Sequence, residues 1–75
     1  MMKMFENAEF GDKYLTRLGK IALFLRFVEN SEWKMVHVYV QDFGIVAINR
    51  ETGNALSNGE KYDILKKINN EKEGL

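Results

Sequence analysis

The sequence predicts an all-β fold, a small antiparallel meander or SH3-like barrel of about five strands. Two stretches, 20–28 and 33–40, alternate their side chains with period two. Turn-forming groups punctuate the chain at roughly eight-to-twelve-residue intervals, the spacing of short strands joined by tight turns. Helical spacing reaches only about one turn near the N-terminus and an ambiguous stretch at 60–68.

The elements follow in order. Met4, Phe5 and Ala8 allow a short N-terminal turn of helix within a lead-in at 1–10. Gly11-Asp12 launches a first strand at 13–17, and Leu18-Gly19 connects it to the second. In 20–28, Ile21, Leu23, Leu25 and Phe27 share one face by strict alternation, and Ala22, Phe24, Arg26 and Val28 share the other. Glu29-Asn30-Ser31-Glu32 is a polar turn. Residues 33–40 then place Val36, Val38 and Val40 opposite Trp33, Met35, His37 and Tyr39. Gln41-Asp42-Phe43-Gly44 turns the chain into a fourth strand at 45–49. Arg50-Glu51-Thr52-Gly53 is a turn with glycine at its left-handed position, followed by a short return strand at 54–57. At 60–68 two readings compete. Tyr62-Asp63-Ile64-Leu65 suits a closing strand, whereas Ser57-x-x-Glu60 followed by Ile64, Leu65 and Ile68 suits a capped helix. Residues 69–75 form a polar, frayed tail.

Size and composition bound the object. Seventy-five residues make one domain, 1–75. Eleven basic and eleven acidic side chains cancel, which argues against a strongly electrostatic nucleic-acid binder. A 45% hydrophobic chain is not a disordered polyelectrolyte. Without cysteine there is no disulfide scaffold and no thiolate zinc module, and a cytoplasmic location fits. The longest apolar run, Ile21 to Leu25, is far below the roughly twenty residues of a bilayer span, and the first residues lack the apolar core of a signal peptide. A domain this small has a narrow stability margin, and self-association is the remaining way to widen it.

The stretch from Phe10-Gly11-Asp12-Lys13-Tyr14-Leu15-Thr16-Arg17 to Leu18-Gly19-Lys20-Ile21-Ala22 resembles an opening found in short uncharacterised bacterial and phage small β-domain proteins. There it runs Gly-Asp-Lys-aromatic-x-Thr-Arg-Asp-Gly-Arg-x-Ala before an apolar strand. Leu18 departs from that pattern by standing where aspartate is usual, which leaves the turn geometry open. Thr52-Gly53 and Asp63-Ile64-Leu65 are similar to the glycine turn and final strand of the same proteins. The resemblance implies a strand at 62–65 and a phage or mobile-element setting, and carries no activity with it.

Few residues suggest chemistry. His37 is the sole histidine, without the spacing of a metal motif, and no cofactor or metal is expected. Ser31 and Ser57 lie in polar turns outside any nucleophile motif. Glu29, Glu32 and Asp42 are loop acids without a cleft. The six glycines are scattered singly, as turn residues rather than a phosphate loop. No catalytic residue is assigned, and the chain is expected not to be an enzyme.

Two constellations remain. If the valines face the core, Phe24, Trp33, Met35, His37 and Tyr39 form an apolar-aromatic interaction surface. Otherwise the barrel closes over both faces, or Met4, Phe5 and Phe10 cover the stripe. Lys13, Arg17, Lys20, Arg26 and Lys34 concentrate positive charge around the first hairpin, with Tyr14, Phe24 and Trp33 interleaved. The leading expectation is a non-enzymatic interaction module that self-associates into a homo-oligomer and binds a protein partner, with no membrane association. The alternatives are a nucleic-acid-binding barrel using the basic hairpin, and an oligomeric nucleotide binder with Arg17, Arg26 and Tyr39 lining a subunit interface.

Overall fold

Alternating β-branched and aromatic side chains favour extended backbone, and the computed structural model, which describes residues 4–29 and 34–68, has strands wherever that pattern holds. Five antiparallel strands form one sheet: β1 (Lys13–Thr16), β2 (Ile21–Glu29), β3 (Lys34–Val40), β4 (Gly44–Asn49) and β5 (Ile64–Ile68). The first four are a meander. β5 leaves it and returns to the edge of β1, giving the order β4-β3-β2-β1-β5.

The turns explain where strands stop. Thr16 N–H donates to Lys20 O, and Gly19 N–H donates back to Thr16 O at 2.9 Å. This is a three-residue loop, Arg17-Leu18-Gly19, with Gly19 in the left-handed region. It needs no aspartate at position 18, and Leu18 sits exposed at its tip. Thr16 is fully buried, and its hydroxyl bonds both the N–H and the O of Lys20. After β4, Asn49 Oδ1 accepts the N–H groups of Glu51 and Thr52. The returning chain pairs with β4 through an isolated bridge, Ile48 to Ala55.

That return closes one end of the curled sheet. Ile64 N–H donates to Gly53 O at 2.7 Å, and Ala55 N–H donates to Asp63 Oδ1 at 2.7 Å. Asp63 also binds the other edge, since its carbonyl accepts Arg17 N–H and its carboxylate meets the Arg17 guanidinium. Gly53 is required here: its φ is +83°, and a Cβ would lie 2.9 Å from Met4 Cε and 3.1 Å from Ile64 O.

The core lies on the concave face. Val36, Val38, Val40, Val46 and Ile48 line it from β3 and β4, Ala22 and Phe24 from β2, and Tyr14 from β1. Phe5 fills the concavity, its ring 4.9 Å from Tyr14 and 6.1 Å from Phe24. Tyr62 and Ile64 close the end near Gly53. The lead-in therefore covers the valine face. Phe10 takes no part in this and is 79% exposed.

Several expectations are corrected. Residues 4–7 form a turn, with Ala8 N–H on Phe5 O, and not a turn of helix. The segment 60–68 divides: Glu60–Tyr62 is a 3-10 turn, without a side-chain cap at its start, and the strand runs from Ile64 to Ile68 instead of 62–65. Strict alternation along β2 fails at a bulge, where the pairing with β3 shifts between Phe24 and Arg26. Beyond it Phe27 pairs with Val36 and joins the face of Ala22 and Phe24. Trp33 and the tail at 69–75 lie outside the described residues.

A candidate interaction surface on the outer sheet face

Each buried valine of β3 forces its neighbours to the opposite face, because successive strand side chains alternate. The registers place those neighbours in rows across the sheet. One row is Lys13, Leu23, Tyr39 and Ile45. The next is Arg26, His37 and Ala47, and the third is Val28, Met35 and Asn49. Leu15 and Ile21 pair beside the first row, on the side of the β1–β2 turn. Leu56 extends the second row by donating its N–H to Ala47 O. The result is a convex face of aliphatic and aromatic side chains, on which Tyr39 is 45% and Ile45 54% exposed.

The surface has relief. A shallow depression of about 380 Å³ is lined by Ile21, Leu23, Tyr39, Gln41 and Asp42. Another, of about 270 Å³, is lined by Met35, Ala47, Leu56 and Ser57.

Of the expected interaction residues, Met35, His37 and Tyr39 share this face. Phe24 does not: it is 3% exposed and packs in the core, with its ring edge-on to Phe27 at 5.0 Å. Register is the reason: Phe24 lies opposite Val38, and Ala22 opposite Val40, on the core-facing phase of β2 ahead of the bulge. Ile45, Ala47 and Leu56 complete the face and were not assigned to it from sequence. The alternation of Ile45 and Ala47 against Val46 and Ile48 is the signal that locates them.

His37 occupies the middle row. Its Nδ1 is buried and has no hydrogen-bond partner among the described residues. Burial pushes its pKa below the usual imidazole value, and the adjacent Arg26 guanidinium pushes in the same direction.

The basic residues do not converge. Lys13 and Arg26 stand on the outer face. Lys20 pairs with Asp42 at 3.3 Å, and Arg17 pairs with Asp63 at 3.5 Å. Lys34 belongs to the phase of Val36 and lies opposite Glu29 at the far end of the sheet. Two of the five charges are thus countered by carboxylates of described residues, and the five are dispersed over both faces and the turns.

Among the described residues, no three histidines or acids gather as a metal site would require, and no helix is long and apolar enough to cross a membrane. Ser57 is exposed beside the smaller depression. No protein family, curated protein or solved structure matches the chain.

Proposed function

We propose that the chain is a non-enzymatic interaction module that self-associates through the outer face of its sheet and presents the assembled surface to a protein partner. The observation that carries this reading is the apolar outer face, with Tyr39 and Ile45 projecting beside depressions on the same surface. A two-fold contact between identical faces needs projections and hollows on one patch, and the presence of both on this face supports a second copy as its occupant. Contiguous exposed apolar patches on small domains mark interaction sites. The curled five-stranded sheet, with β5 returning to β1, supports an SH3-like reading of the architecture. The cysteine-free composition fits a cytoplasmic setting.

Light scattering on the full chain tests the proposal. The wild type is expected at a multiple of 8.7 kDa. Met35→Asp and Tyr39→Asp are each expected at the mass of one chain with an unchanged far-ultraviolet circular dichroism spectrum. A monomeric wild type at high micromolar concentration overturns the reading.

A further inference from the structure

His37 has a constrained place on the outer face. Its cross-strand neighbour on β2 is Arg26, and its neighbour on β4 is Ala47. Along β3 it is flanked by Met35 and Tyr39, and the returning segment brings Leu56 and Ser57 against Met35 and Ala47. Among the described residues, the charged group that faces the ring is therefore a cation, Arg26. Asp42, in the turn beyond Tyr39, is engaged by Lys20.

The two protonation states differ sharply at such a position. A neutral imidazole leaves one ring nitrogen without hydrogen, and Nδ1 can remain buried at modest cost. An imidazolium must donate from both nitrogens. Its Nδ1–H would point where no acceptor stands among the described residues, and its charge would sit beside Arg26. Water relieves part of that cost while the face is exposed. A second copy removes the water, and like charges excluded from solvent are penalised far more heavily. Arg26 itself can extend its longer side chain toward the rim, which the short histidine cannot do.

We infer that His37 is a proton-operated gate on self-association: the neutral ring permits two copies to close over the outer face, and the imidazolium beside Arg26 forbids it. This inference rests on the self-association reading above and adds its regulation. Association then excludes one proton per protomer, so the dimer forms at neutral and alkaline pH and dissociates as pH falls through the histidine range.

Sedimentation equilibrium of the full chain from pH 8 to pH 5 tests this, with the fold followed by circular dichroism. The wild-type dissociation constant is expected to rise by up to about 100-fold per pH unit below the titration point, because two protons are excluded from each dimer. His37→Gln, neutral throughout, is expected to dimerise with a constant that changes less than about threefold over the same range. His37→Asn serves the same comparison if the glutamine variant does not fold. A wild type that dimerises equally at every pH overturns the gate and leaves the self-association reading intact. A wild type that is monomeric at every pH overturns that reading and the gate with it. Equal pH dependence in the wild type and the neutral variants removes His37 from the role. Loss of the circular dichroism signal at the same midpoint also overturns the gate, because the acid transition is then unfolding.

Discussion

The two faces of this sheet are built from the same strands, yet they meet different fates. The concave face carries β-branched side chains and is sealed by Phe5, Tyr14 and Tyr62. The convex face carries Leu23, Met35, Tyr39 and Ile45, side chains of similar hydrophobicity, and nothing among the described residues seals it in the same way. Composition does not separate the faces. Curvature and the path of the lead-in do, because a curled sheet offers one concavity and, among the described residues, Phe5 of the lead-in fills it. Burial on one face maintains the fold, and exposure on the other leaves apolar surface available for contact.

That contrast predicts a ladder of effects. Phe5→Ala removes the plug from the concave face, and the loss is expected at about 3–5 kcal/mol, enough to unfold much of a domain this small. Urea denaturation measures it, and a loss under about 1 kcal/mol would break the assignment of Phe5 as a core residue.

Alkaline pH acts on the same face. The Tyr14 hydroxyl is pushed up to about 12, chiefly by burial and further by the Asp12 carboxylate. The unfolded phenol ionises near 10, about two units lower. The folded pKa is raised, so its contribution is fully present below about pH 10 and is lost as pH rises toward 12, on the order of 2–3 kcal/mol in total. Stability curves of the wild type and Tyr14→Phe across this range check it. The phenylalanine variant should lose less, and parallel curves would show that Tyr14 is not the group responsible.

The closure between the β4 return and β5 comes next. Asp63→Ala leaves the Ala55 N–H without its acceptor and the Arg17 guanidinium without its carboxylate, at a cost of about 2 kcal/mol. Asp63→Asn keeps a side-chain acceptor and is expected to recover about half of that. Equal losses in the two variants would assign the effect to charge instead of the hydrogen bond.

The smallest effect on stability belongs to the convex face. Tyr39→Asp is expected to change monomer stability by no more than about 0.5 kcal/mol, because a half-exposed side chain loses little on truncation. The same variant should abolish self-association. A substitution that moves one property and spares the other separates the roles of the two faces.

Much of the fold was legible in the residues themselves. The alternation of the valines at 36, 38 and 40 with their neighbours locates β3 and its two faces, and the structure shows that the valine face is the buried one. The glycine and asparagine turns place most strand ends within one or two residues. Other features were not legible. The β2 bulge leaves no signature in the sequence, because the apolar run from Ile21 to Leu25 satisfies both phases of the alternation equally well. Phase was therefore undetermined there, and Phe24 and Phe27 were misplaced. The final strand was ambiguous because Ile64, Leu65 and Ile68 fit both periods. The pairing with β1 selects between them, with Lys67 set against Tyr14 and bonded to Asp12 at 3.2 Å. At the candidate site, Met35, His37 and Tyr39 followed from alternation alone. The dispersal of the basic residues did not, since Arg17 meets Asp63 across 46 positions of sequence.

Local pattern determined, then, that this chain is an all-β domain, where its first four strands lie and which side chains share a face of β3. These are properties of period and of turn chemistry, which act over a few residues. Tertiary structure alone decided that the valine face is the buried one and that the lead-in covers it, where β2 changes phase, that β5 crosses to β1, and that His37 stands beside Arg26 on an apolar surface. Each of those depends on contacts between distant segments, where packing in the concavity and pairing across the sheet outweigh any preference a short stretch of sequence can express.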